Sequence, residues 1–333
     1  MDKNTEKDFV NIIEKMVTVN EGRQYWFIRT EGGSLYKSFL SDNIVGIGYD
    51  KIKYSEISDL SEIEYKVGLK NLTKRVKRAY PDLTRPRMAA AQIYKFCFEV
   101  KKGDIVIIPG PYSHFLSFGV VISEATFDRT YNQEIFLSGY KLKDVKWLKT
   151  ISRDRLNPKL YKLFFTHQAI VNGNDYDEHI DSILNDFFLK NGRLHLKIKI
   201  DKESDILARE LFEACLGLLK ITDDFLSTNG IEEDTSDVEV KISVNSPGEV
   251  ELIGECLLAL CTLGFIIVTL AGGGIGAKIL GQNLEFKTEG LLKKLSEFLD
   301  NHEKRKLLKK LVHSLDMKEP KDTVKLIENL LDK

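Results

Sequence analysis

AAQIYKFCFEVKKGDIVIIPG, residues 90–110, is the stretch that decides how the front of this chain folds. It opens inside PRMAAAQIYKFCF (86–98), which reads as a helix with Pro86 near its start. Proline is tolerated there because the amide it lacks would have no partner in the first turn anyway. Gly103-Asp104 then gives a tight turn, and Ile105–Ile108 is a short continuous apolar run of the kind that forms a buried strand. FLSFGVVIS (115–123) follows as the hairpin partner.

Upstream, Phe9, Val10, Ile13 and Met16 recur at helical spacing within 5–16, with Thr5 as N-cap. QYWFIRT (24–30) reads as a strand ending at the turn Glu31-Gly32-Gly33, and NIVGIGY (43–49) as a second β-rich run. Residues 59–79 are helical and rich in Lys and Arg. Downstream, KLKDVKWLKTIS (141–152) and RLHLKIKI (193–200) are strands separated by helical segments. The rear opens with a helix at 204–220, an acidic loop at 227–237, and the strand VEVKISV (238–244), stopped by Asn245-Ser246-Pro247-Gly248. Three amphipathic helices close the chain at about 289–300, 302–315 and 320–332.

Strands around a few helices, without βαβ alternation, predict an α+β chain whose front is a small mixed barrel. The expected division is an N-terminal helix (1–20), a ligand-binding domain (21–200) and a mainly helical domain (201–333). The 333 residues suit two domains, and 43% hydrophobic with 30% charged residues excludes a disordered or fibrous chain. Four cysteines without a CxxC or Cys/His cluster exclude a disulfide-stapled mini-domain and a zinc finger. The net charge of −1 hides an asymmetry: residues 1–200 hold 32 basic and 25 acidic residues, residues 201–333 hold 17 and 25. A basic front fits an anionic partner. The charged start MDKNTEKDF has no apolar core of a secretory signal, so the expected location is the cytoplasm.

The order YWFIRTEGG, NIVGIGYDKI, a basic helix ending in Ala79-Tyr80-Pro81, AAQIYKFCFEVKKGDIVIIPG and VKWLKTISRDRLNP resembles the PUA-like (EVE/YTH-related) domain found at the N-terminus of Mrr-type restriction and other anti-phage proteins. The resemblance covers residues 22 to 165 and rests on order rather than on any one motif. It implies a pseudobarrel that grips a flipped or modified base, or a related small ligand, between aromatic walls. Stacking contributes about 1–3 kcal/mol per base, against the few kcal/mol that unstacking costs. Trp26, Tyr49, Tyr94 and Phe96 are the candidate walls; Arg29, Ser38 and Gln92 are the candidate polar contacts. Where the family often has tryptophan after the Ile-Gly pair, this sequence has Tyr49. The arrangement of strand, VNSPG, apolar run, Gly272-Gly273-Gly274 and helices also resembles a C-terminal module of bacterial defence proteins with no known activity.

Lys66, Lys70, Lys74, Arg75, Lys77, Arg78, Arg85 and Arg87 fall within 22 residues. Lys66, Lys70, Lys74 and Lys77 are spaced to line one helical face, as a row of phosphate contacts requires. A solvated helix face is the plain alternative.

CLLALCTLGFIIVTLAGGGIGA (256–277) is 22 residues without a charge, and a membrane helix needs about 20. Charge favours a cytosolic C-terminal flank, since 201–255 carries a net −11 and 278–333 a net +3. The expectation drawn is a transmembrane segment in the inner membrane. A buried soluble helix and two pieces broken at Gly272–Gly274 are the alternatives.

No P-loop, GxSxG, HExxH or kinase motif occurs, and the six histidines lie apart. GGGIGA (272–277) follows no βαβ strand and is a weak cofactor loop. One catalytic alternative is a PD-(D/E)xK-like nuclease, with Asp224, Glu239 and Lys241 around Mg²⁺. The main expectation is a non-catalytic sensor, with no cofactor, that binds nucleic acid or a nucleotide in the front domain. Its rear would answer through membrane disruption or homo-oligomerisation in anti-phage defence. A soluble nucleic-acid-binding adaptor is the third reading.

Overall fold

The structure is a computed structural model and describes residues 3–124, 126–128, 139–243, 248–271 and 290–331. The chain divides into two compact units. The front unit is Gly22–Leu184; the rear unit joins Met1–Glu21 to Asn185–Lys333. The first helix, α1 (Lys3–Lys15), therefore folds with the rear of the chain and not beside the strands that follow it.

Among the described residues the front unit is built on a seven-stranded sheet: β1 (Tyr25–Ile28), β2 (Ile44–Ile47), β3 (Ile105–Pro109), β4 (Phe115–Val121), β5 (Phe127–Asp128), β6 (Lys141–Ser152) and β7 (Ile170–Asn172). The order is β2-β6-β4-β3-β1-β7, with β5 added on β6. β1 and β3 run parallel, Tyr25 beside Ile105, and every other pair is antiparallel. β1 and β2 touch although they lie four places apart in that order, so the sheet curls into a half-barrel.

Both faces of β1 and β3 are covered, which is why these strands are apolar at every position rather than alternating. Trp26, Ile28, Val106 and Ile108 face one core, shared with α2 (Tyr36–Ser41), α3 (Tyr65–Ala79) and α4 (Pro86–Tyr94) through Phe39, Leu72, Val76 and Ile93. Tyr25, Phe27, Ile105 and Ile107 face the other, closed by Leu156, Leu160, Leu163 and, from α5 (Asp177–Leu184), Ile180. Asp104, which the sequence shows only as a turn residue, is buried and ties β1 to β3. It accepts from the Trp26 indole Nε1 (2.9 Å), the Lys101 amide (2.9 Å) and the Gln24 amide (3.2 Å).

The rear unit carries a sheet as well as its helices. Its sheet contains β8 (Phe187–Lys190), β9 (Arg193–Ile200), β10 (Glu239–Ser243), β11 (Gly248–Gly254) and β12 (Met317–Lys318), ordered β10-β11-β9-β12 with β8 also on β9. Because β9 pairs with both β8 and β11, residues 185–200 belong here and not to the front unit. Leu194, Leu196, Ile198 and Ile200 of β9 face the core, while Arg193, His195 and Lys197 on the other face pair with Glu239 (2.9 Å), Glu251 (2.9 Å) and Glu249 (3.7 Å).

The core is filled by α6 (Ala208–Thr228), α7 (Leu257–Leu270), α8 (Leu291–Leu299), α9 (His302–Ser314) and α10 (Lys321–Leu331). α7 is the described part of the apolar run. It has 14 residues, and all from Leu258 to Leu270 are buried within the unit. Among the described residues no helix is long and apolar enough to cross a membrane. The transmembrane expectation is therefore not supported: a helix apolar on every side is what a central core position requires as well. Gly272–Gly274, with the rest of GGGIGA, lie outside the described residues.

Candidate functional site

The basic stretch forms two adjoining pieces of the front unit. α3 buries Leu69, Leu72 and Val76 and so turns Lys66, Lys70, Lys74, Lys77 and Arg78 outward. Arg85 and Arg87 are exposed at the start of α4. Arg75 differs: it is half-buried and its guanidinium donates to the Glu56 carbonyl. Among the described residues, none of the seven exposed cations has a carboxylate within 4.0 Å. Uncompensated like charges on one face repel one another, a cost that an anionic partner removes.

The seven residues expected to line a ligand cage differ in burial. Trp26, Tyr94 and Phe96 are core side chains. The Trp26 indole is spent on Asp104, and Tyr94 packs edge-on against Tyr65 (5.0 Å) and Phe98 (4.8 Å) with Gly68 beside it. Gln92 is buried and accepts from the Ala169 amide. Arg29 donates to the Phe164 carbonyl at 2.8 Å, and its buried Nε has no partner among the described residues. Ser38 is half-buried on α2.

Tyr49 is the exception, since it stands on a rim. It follows β2 with φ of +70°, a region that side-chain-bearing residues seldom occupy. Its ring meets Tyr80 edge-on at 6.2 Å, and Tyr80 is clamped: its hydroxyl donates to Asp50 (2.9 Å) and accepts from the Lys51 amide (2.8 Å), with the Lys51 ammonium 5.2 Å from the ring centre. Burial pushes the Tyr80 hydroxyl up to about 12, with Asp50 adding to the rise, so it stays a donor at neutral pH.

What holds this rim is Lys141. The side chain is fully buried, and its ammonium donates to the carbonyls of Tyr49 (2.7 Å), Gly139 (3.1 Å) and Gly48 (3.4 Å). Three acceptors match three ammonium hydrogens. Burial holds its pKa below the ordinary lysine value. Nearby, burial raises the Cys97 thiol to about 12, which leaves it protonated and unreactive at neutral pH. Tyr140 donates to Glu31, itself at φ of +49°. Glu31, Tyr49 and Gly139 thus hold left-handed backbone at one end of the half-barrel, where strand ends converge. Strain of this kind collects at binding sites.

Lys141, Tyr80 and Tyr140 carry this rim and are absent from the sequence-derived set. Lys141 reads as one charge in an alternating strand, and nothing local marks it as buried. The positive φ at Tyr49 has no sequence signal either.

Of the nuclease residues, Glu239 and Lys241 lie on β10 and Asp224 on α6. Glu239 is paired with Arg193, and Lys241 lies opposite Glu251 in the sheet. Asp224 lies on α6, while its neighbour Asp223 accepts from the Thr235 amide (2.8 Å) and hydroxyl (3.0 Å). Among the described residues no group of three or more His, Cys, Asp or Glu is placed to hold a metal ion.

Residues 26–172 match the family model of a domain of unknown function, DUF8426. The match runs from within β1 to the end of β7 and so takes in nearly all of the curled sheet. No curated protein matches the chain. No solved structure matches it either.

Proposed function

We propose that the front unit binds nucleic acid without cutting it, and that the chain is a sensor of the kind its PUA-like resemblance implies, acting in anti-phage defence. The observation that carries this reading is the row Lys66, Lys70, Lys74 and Lys77 on α3, exposed and without carboxylate partners among the described residues. Successive side chains three and four residues apart track a line of phosphates. The Tyr49–Tyr80 rim is the second contact, with an aromatic face for a base, plain or modified.

The rear unit answers by self-association. Phe212 and Leu216 support this, since they are 61% and 53% exposed one turn apart on α6. No membrane step is part of the reading.

The test is a titration of the full chain with labelled plain and modified oligonucleotides at several salt concentrations. Binding should weaken steeply with salt, and reversing Lys70 and Lys74 to glutamate should weaken it for every sequence alike. A chain that binds none of these probes at low salt does not have this function.

A further inference from the structure

The turn between β3 and β4 holds the most exposed aromatic side chain among the described residues of the front unit. Gly110-Pro111-Tyr112-Ser113-His114-Phe115 closes on itself through the Gly110 amide to the Phe115 carbonyl (2.9 Å), Ser113 to Gly110 (2.9 Å) and His114 to Pro111 (3.2 Å). Tyr112 and Ser113 are consecutive left-handed residues, at φ of +53° and +56°. Neither is a type that adopts this conformation readily. The result is a tyrosine 87% exposed at the end of a rigid hairpin, with the His114 ring 6.0 Å from its own and Phe115 also exposed.

The surroundings brace the tip. Thr30 donates its hydroxyl to the Pro109 carbonyl at 2.7 Å, and Gly33 packs on Pro111. The Arg153 amide donates to the His114 carbonyl at 2.8 Å. Its guanidinium lies 5.1 Å from both the Tyr161 and Phe164 rings, and Arg155 is exposed in the same turn. A tip made only to join two strands needs neither strain nor a large ring held in water.

We infer that this tip is a stacking platform for an unpaired base of a single-stranded nucleic acid, with Tyr112 as the stacking face. The inference rests on the nucleic-acid reading of the front unit and narrows it to strands whose bases are free. A base offers its face only when it is out of a duplex stack. A backbone already fixed leaves little ordering to be lost on binding, which favours a rigid turn over a loose loop.

The test measures binding of the full chain to a labelled single strand and to the matching duplex. Tyr112→Ala should weaken the single strand by about tenfold and the duplex by less than about twofold. Tyr112→Trp should retain binding, and 2-aminopurine in the strand should lose fluorescence on the wild type but not on Tyr112→Ala. Lys70→Glu with Lys74→Glu should weaken both strands. If the lysine variant loses binding and Tyr112→Ala does not, the stacking inference is overturned while the phosphate reading stands, and the tip is then a protein contact. If the wild type binds neither probe, the nucleic-acid reading itself fails. Because Tyr112 packs on nothing in the core, its variants should fold like the parent, which circular dichroism checks.

Discussion

Gly33 lies against Pro111 so closely that a Cβ built on the glycine would stand 2.7 Å from the proline nitrogen. The glycine is at φ of +99°, so an added side chain meets both a forbidden backbone region and a rigid ring. Gly33→Ala should therefore destabilise the front unit by about 1–3 kcal/mol, since strain and contact act together. Urea denaturation reads that loss. Gly32, next to it at φ of +70°, has no atom within 4 Å of its would-be Cβ, so Gly32→Ala pays for backbone strain alone and should cost less.

The lysine row predicts a salt slope. If α3 meets phosphates through Lys66, Lys70, Lys74 and Lys77, each contact removed should lower the slope of log affinity against log salt by about 0.7–0.9. Lys70→Gln and Lys74→Gln should each take one such step, and the double variant two. Arg75→Gln should leave the slope unaltered, because that guanidinium is directed to the Glu56 carbonyl. Equal slopes across all of these variants would remove α3 from the interface.

The contrast between those two side chains shows how far the sequence could be read. Helical spacing alone places Lys70 and Lys74 on an outer face, because Leu69, Leu72 and Val76 fix the inner one. β1 and β3 were legible for a similar reason: four or five apolar residues in a row between turn signals suit a strand covered on both sides. RLHLKIKI was legible as a strand but not as part of the rear unit, because its partner 248–254 lies some fifty residues further on. The run 256–277 was the hardest case. A core helix and a membrane helix share one composition, and only the packing of α6 and the C-terminal helices around α7 separates them. At the rim, Lys141 is buried by carbonyls from residues 48, 49 and 139, which meet only once the chain has curled. Trp26 and Phe96 illustrate the converse: an aromatic residue on a strand or helix looks the same whether it is a wall or a core.

Glu233 gives a pH-dependent prediction. Its carboxylate accepts from the amides of Leu258 (2.8 Å) and Ala259 (3.2 Å), at the start of α7, whose own N-cap Cys256 offers no side-chain bond. Burial raises its pKa above the ordinary 4.5, with the two amides pulling the other way. A carboxyl raised on folding contributes stability that is complete below its unfolded value and lost as pH rises through its folded value. Wild type should thus lose stability relative to Glu233→Gln as pH climbs from about 4.5, the ordinary value. Glu233→Ala leaves two helix-end amides without an acceptor and should cost about 1–3 kcal/mol at pH 7. Chemical denaturation at pH 4 and pH 7 separates the two effects. A pH-independent gap between wild type and Glu233→Gln would show that the carboxyl titrates normally.

Thr262 on α7 and Thr323 on α10 point to a stabilising change. Both are fully buried, and neither hydroxyl has a hydrogen-bond partner among the described residues. Thr323 packs against α7: a Cβ on Gly264 would lie 3.3 Å from its Cγ2. A buried hydroxyl without a partner forfeits its hydration, at roughly 1–3 kcal/mol by mutational measure. Valine keeps the branched shape and fills the same space while removing the polar atom. Thr262→Val and Thr323→Val should each leave the fold intact and raise Tm by a few degrees, about what 1 kcal/mol does in a domain of this size. Gly264→Ala is the useful opposite. It adds a methyl group against Thr323 and Leu196 in a packed interior, so it should lower Tm. A fall in Tm for either valine variant would mean that its threonine hydroxyl is hydrogen-bonded in solution, and the argument for an unpartnered polar atom in this core would fail with it.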